Sequence, residues 1–124
     1  MLTNVTQTSI AAYHSPDVQA SIQNQRLRVA RFIIDATKHG KPTCRTAVWE
    51  YFARAGDAAL NQKGSVARAV NELAKLSESE GVMYDGRVYE LRFVESKEYA
   101  GRTVEHFCMV LQKPKENQLE LELF

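Results

Sequence analysis

The chain has 124 residues, of which 44% are hydrophobic and 25% charged, and a formal net charge of +1. That is the make-up of one ordinary globular domain with a core of its own, too nearly neutral to hold nucleic acid by bulk charge alone. No stretch approaches the ~18 apolar residues of a membrane span, and Met1–Thr6 has neither the basic flank nor the apolar run of a signal peptide, so no membrane partner and a cytoplasmic location are expected.

Residues 1–14 are polar and read as an N-terminal arm. Ser15-Pro16-Asp17 then starts a helix: Ser15 can cap, Pro16 suits the first helical position, and Asp17 favours the positive end. The helix is expected to reach about Lys38, to close on Gly40, and to be barred from continuing by Pro42. Its apolar residues, from Val18 through Ile33 and Ile34 to Ala36, cover a broad arc, so it packs on more than one side.

A second helix is expected from Arg45 to about Ala55, capped by Thr43, with Ala47, Val48, Tyr51 and Phe52 at helical spacing. A third is expected from Gln62 or Lys63 to Glu78, capped by Asn61, with Val66, Ala69, Val70, Leu73 and Leu76 as its apolar stripe. At Gly81 the period changes from that of a helix to that of a strand. Val82-Met83-Tyr84, the turn Asp85-Gly86 and Val88–Val94 read as a hairpin, since Asp-Gly between β-rich runs favours a two-residue turn. The polar stretch Ser96–Arg102 reads as a connection, Val104–Leu111 as a further strand, and 112–124 as a linker followed by a C-terminal peptide. The folded domain is thus expected over 15–111.

Helix, turn, helix, hairpin is the order of a winged helix. Three stretches carry the likeness: Gly40–Arg45 leading into the second helix, Asn61–Leu73 as the recognition-type helix, and Gly81–Tyr89 as the wing. The segment resembles the winged-helix domains of small phage and prophage regulators and replication proteins. The fold this implies is α+β: a three-helix bundle with a helix-turn-helix, a β-hairpin wing and one additional strand. The connection Gly56–Asn61 is longer than the tight turn of the simplest members.

The resemblance implies binding of double-stranded DNA, in transcriptional regulation or replication. A recognition helix inserts its N-terminal half into the major groove. Here that half carries Gln62, Lys63, Ser65, Arg68 and Asn71, and Gln, Asn and Arg have the bidentate geometry for adenine and guanine edges. Arg45 and Arg54 are expected to reach phosphates, and Arg87 to sit at the wing tip. A solvated helix face with an Arg68–Glu72 pair explains the same residues equally well. A homodimer is a reasonable expectation, because one small module gives limited affinity.

The C-terminal peptide Gln118-Leu119-Glu120-Leu121-Glu122-Leu123-Phe124 resembles the motif by which bacterial proteins dock on the DNA polymerase sliding clamp. Gln118, Leu119, Leu121 and Leu123 match it in order, and Phe124 supplies a terminal aromatic. The likeness implies a second reading: a protein-interaction module that recruits or inhibits replication machinery through an apolar cleft on the clamp. An amphipathic strand, Leu in and Glu out, is the alternative for this segment.

Charge is uneven along the chain. Residues 1–60 carry seven Lys or Arg against four Asp or Glu, and residues 81–124 carry six against eight. His14, His39, His106, Cys44 and Cys108 lack metal-ligand spacing, and the six glycines form no phosphate-cradling loop. Cys108 and His106 share a strand face, but packing is their simplest role. The chain therefore reads as a cofactor-free protein that is not an enzyme.

Overall fold

The computed structural model describes residues 16–112, with side chains described from Ser21 onward. The arm 1–14, the Ser15 cap and the clamp-like peptide Gln118–Phe124 lie outside the described residues. Three helices, α1 (Pro16–Lys38), α2 (Arg45–Arg54) and α3 (Lys63–Glu78), are followed by three strands, β1 (Val82–Tyr84), β2 (Arg87–Tyr99) and β3 (Arg102–Leu111). The strands form one antiparallel sheet in the order β1-β2-β3. The architecture is α+β and compatible with a winged helix. Among the described residues, no helix is long and apolar enough to cross a membrane.

The helix ends follow from local chemistry. Gly40, at φ 71°, closes α1: its N–H donates to the Thr37 carbonyl and the Lys41 N–H to the Ala36 carbonyl, the paired bonds of a Schellman cap. Gly56, at φ 72°, closes α2 in the same way, with Gly56 donating to Ala53 and Asp57 to Phe52. The long connection into α3 is ordered by Asp57, whose Oδ1 accepts from the N–H groups of Ala59 and Leu60 at 2.9 Å. That turn delivers Leu60 to the core, fully buried.

Two expected caps are replaced. Cys44 is the N-cap of α2 and Gln62 that of α3, neither with a side-chain cap bond. Thr43 instead forms a one-residue bridge with β3: it exchanges two backbone hydrogen bonds with Phe107, at 3.0 and 2.8 Å. This bridge extends the sheet by a fourth, minimal segment on the free edge of β3. Asn61 contributes its carbonyl, not its side chain, as acceptor for Trp49 Nε1 at 2.7 Å.

The larger departure is the hairpin. The Asp85-Gly86 turn does form, with φ of 52° and 73°, but it joins a three-residue strand to β2. The long hairpin is β2–β3, turned at Ala100-Gly101 with φ of 51° and 83°. Ser96–Tyr99 is therefore strand and not connection. It reads as polar because nearly every residue there is exposed on both faces, so no alternation marks it. The β2–β3 register slips between Phe93 and Glu95, a bulge that leaves Val94 unpaired and bends the ribbon.

One core joins the layers. Val29, Ile33 and Ile34 of α1, Val48 and Phe52 of α2, and Val66, Val70 and Leu73 of α3 close on Tyr89, Leu91, Phe107 and Met109 of the sheet. Phe107 is wholly buried, packed edge-on to Phe93 with centroids 6.2 Å apart. Cys44 and Cys108 are free thiols, the first buried, and burial pushes the Cys108 thiol above its ordinary pKa against the opposing charge of Arg92.

Candidate nucleic-acid interface

Helix α3 lies across the core with Val66, Ala69, Val70 and Leu73 buried. Each helical residue advances the side-chain direction by about 100°, so the opposite face holds Gly64, Asn71 and Lys75, all exposed, with half-buried Ala67 beside them. Gln62 and Lys63 lead into it, also exposed. Glu72 borders this face on the α1 flank, beside Arg26 and Arg68, and Glu78 follows at its C-terminal end. Gly64 and Ala67 are small, and a Cβ added at Gly64 would meet nothing within 4 Å, so the helix surface is open at its first turns.

The sequence-predicted reader residues do not all share that face. Arg68 turns to the α1 side: its Nη2 donates to Gln25 Oε1 at 2.6 Å, and its Nε is buried without a hydrogen-bond partner, 3.8 Å from Glu72 Oε1. Glu72 also meets Arg26 of α1 at 3.4 Å. Arg68 is thus a tie between helices. Ser65, half-buried, points to the same flank by helical spacing.

The other flank faces α2. Asn71 Oδ1 accepts from Arg45 Nη2 at 3.0 Å. The Arg45 guanidinium lies 3.8 Å from Glu105 of β3 and 5.9 Å from the centroid of the Phe107 ring. Arg45 therefore links the start of α2 to the middle of α3 and to the hairpin. Lys63 holds its ammonium 4.8 Å from the Trp49 ring centroid, a cation–π contact, while the Trp49 N–H fastens the carbonyl of Asn61. Trp49 was not among the expected site residues, yet it positions the entrance to α3. Its helical spacing of four from Arg45 was the available signal.

Arg54 and Arg87 fall elsewhere. Arg54 follows Arg45 by nine positions, which puts them on opposite sides of α2. Arg54 accordingly lines a cavity with Phe32, Tyr51 and Tyr99, away from α3. Arg87 stands at the first position of β2, whereas the long hairpin turns after Tyr99, the last. About 40 Å of strand lies between them. Arg87 thus stays beside the Asp85-Gly86 turn of the short hairpin, where it was expected, and Tyr99–Arg102 forms the tip of the second, longer hairpin.

That tip is fastened to the body. Tyr99 donates its hydroxyl to Glu50 Oε2 of α2 at 2.7 Å, and its ring meets the buried His106 edge-on at 6.4 Å. The hydrogen bond to the carboxylate, then burial and the charge of Glu50, raise the Tyr99 pKa above the ordinary tyrosine value. The hairpin beyond the bulge carries Glu95, Glu98 and Glu105 against Lys97 and Arg102, so it has no basic excess.

Comparison of the chain with protein-family models, with curated proteins and with solved structures finds no match. The geometry alone therefore carries the functional reading.

Proposed function

We propose that the chain is a small winged-helix protein of phage or mobile-element type that binds double-stranded DNA with α3, in transcriptional regulation or DNA replication. The observation that supports this reading is the exposed face of α3 that carries Lys63, Gly64, Asn71 and Lys75, entered from Gln62, with the bordering carboxylate of Glu72 beside Arg26 and Arg68. Gly64 and Ala67 let the helix approach a groove floor closely. Gln62 and Asn71 bring amide donors and acceptors to base edges, and Lys63 and Lys75 bring cations to the flanking phosphates. Arg45, through its bond to Asn71, fixes the orientation of that amide. The long hairpin, lacking basic excess, supplies little phosphate affinity, so the bulk of it falls to α3.

The test is the affinity of the full chain for duplex DNA as a function of salt. Reversing Lys63 and Lys75 together to Glu is expected to abolish binding at moderate salt, and neutralising either one to flatten the log–log salt slope by about one. A doubly reversed chain that binds duplex as well as the parent overturns the assignment.

A further inference from the structure

A second surface lies on the side of α2 turned away from Asn71. Three cavities of about 490, 400 and 390 Å³ adjoin one another there. The first and second share Phe32 and Tyr51; the second and third share Ala47 and Tyr99. Together they form a row of adjoining hollows, a cleft that extends from the C-terminal half of α1, across α2, to the tip of the long hairpin.

Its lining is unusual in two ways. Five Lys or Arg (Arg28, Arg31, Lys41, Arg54 and Lys97) face it against two acids, Asp35 and Glu50, in a chain whose net charge is only +1. Both acids are engaged. Asp35 lies 4.0 Å from Arg31, and Glu50 accepts the Tyr99 hydroxyl. Lys41, Arg54 and Lys97 are exposed and form no ion pair among the described residues. The large apolar side chains of the lining are aromatic, among them Phe32 and Tyr51, with centroids 4.8 Å apart, and Tyr99, and they stand beside alanines and Pro42. Tyr51 is 52% exposed. No Leu, Ile, Val or Met lines any of the three cavities.

We propose that this cleft binds single-stranded nucleic acid. Flat aromatic rings spaced between unpaired cations match a chain in which bases and phosphates alternate, whatever the base sequence. Tyr51 and Tyr99 offer rings for base stacking, and Arg54, Lys41 and Lys97 offer charge along the backbone. A duplex keeps its bases stacked inside and gives such rings nothing to hold. An acidic, leucine-rich peptide such as Gln118–Phe124 matches the charge, but branched aliphatic side chains fit a cleft lined by Leu, Ile or Val, which this one lacks. The site is independent of the α3 face, and the two assignments stand or fall separately.

The experiment is fluorescence anisotropy of a labelled oligothymidylate, about a dozen nucleotides long, titrated with the full chain at low salt beside a duplex of the same length. The expected result is binding that weakens about tenfold or more in Arg54→Glu and in Tyr51→Ala, with the helical circular dichroism of each variant retained. Lys97→Glu, on the exposed hairpin, is the second charge probe should Tyr51→Ala unfold. The Lys63→Glu, Lys75→Glu double variant is expected to leave single-strand binding unchanged. Three results overturn the proposal: no binding of the oligothymidylate by the parent chain, equal binding by Arg54→Glu and Lys97→Glu, or loss of binding in the α3 variant alone. A synthetic Gln118–Phe124 peptide that shifts the Tyr51 ring resonances where the oligothymidylate does not assigns the cleft to a peptide and also overturns it.

Discussion

Thr37 and Ser77 do the same work on opposite edges of the sheet. Each hydroxyl donates to the carbonyl four residues back in its own helix, Ile33 and Leu73 respectively, at 2.8 and 2.7 Å. Each then accepts a strand N–H: Thr37 from Met109 at 3.0 Å, Ser77 from Leu91 at 2.7 Å. Leu91 and Met109 are Cα partners across β2 and β3. Both N–H groups of this pair point outward, beyond the reach of β1 on one side and of the Thr43 bridge on the other. Two helix hydroxyls close the ladder where no strand remains to do so.

Removing either hydroxyl should therefore strand a part-buried backbone donor. Thr37→Val keeps the shape and loses the acceptor, and is expected to cost about 1–3 kcal/mol, as is Ser77→Ala. Thr37→Ser should recover most of the loss. Urea unfolding of the three variants checks this. The two sites are on different helices with no shared partner, so the double variant should show near-additive losses.

A gain in stability is expected at the hairpin tip. Ala100 holds φ 51° in a two-residue turn whose other residue is Gly101 at 83°. Both central residues of such a turn need positive φ, and an alanine there carries a left-handed penalty. Ala100→Asn should raise stability by about 0.5–1 kcal/mol, read as a higher urea midpoint at unchanged m-value. Ala100→Val, β-branched, should lower it.

The same turn shows what the sequence left hidden. The helices were legible because their periodicity and their stop signals agree: Gly40 realises the cap expected of it. Asp85-Gly86 was legible as a turn. Ala100-Gly101 was not, because alanine is not a turn residue and Ser96–Tyr99 has no buried face to impose alternation. Thr43 offered a good helix cap and was taken up by Phe107 instead, since β3's free edge needed a partner. At the candidate interface, Lys63 and Asn71 could be placed about 80° apart on one exposed side by spacing within α3, but Gln62, the extended N-cap, is not placed by helical spacing. Spacing also opposes Arg45 to Arg54, but the engagement of Arg68 with Gln25 depends on where α1 crosses, which no local pattern encodes.

Glycines separate stability from binding on α3. Gly64 sits in the first turn with open space around a would-be Cβ and no positive φ. Gly64→Ala should stabilise the fold by about 0.5–1 kcal/mol through helix propensity. It also places a methyl on the face assigned to the DNA groove, so duplex affinity should fall while thermal stability rises. Gly81→Ala should do the opposite to the fold. At φ 83° its Cβ would strike Val88 Cγ1 and lie 2.6 Å from Gln112 Oε1, and the left-handed penalty adds about 1–2 kcal/mol. A thermal melt and a duplex titration on the two variants give the pair of readouts.

The Tyr99–Glu50 contact gives the hairpin a pH dependence whose direction is fixed. The hydrogen bond to Glu50 comes first among the causes that raise the phenol, followed by burial and the carboxylate charge, with Arg54 opposing. In the unfolded chain a tyrosine loses its proton near pH 10. The folded chain holds the proton more tightly, so the contact contributes in full below about pH 10 and is lost as pH rises through the higher folded value. The phenolate absorbance of the parent should therefore contain a late-titrating component that is missing from Tyr99→Phe. In Glu50→Gln that component should move down toward the ordinary tyrosine range, because the charge that penalises the phenolate is gone. A Tyr99 component that titrates at the ordinary value in the parent would mean that the tip is free of α2 in solution. Since Tyr99 also lines the aromatic cleft, the released tip would leave only Phe32 and Tyr51 as stacking surfaces there.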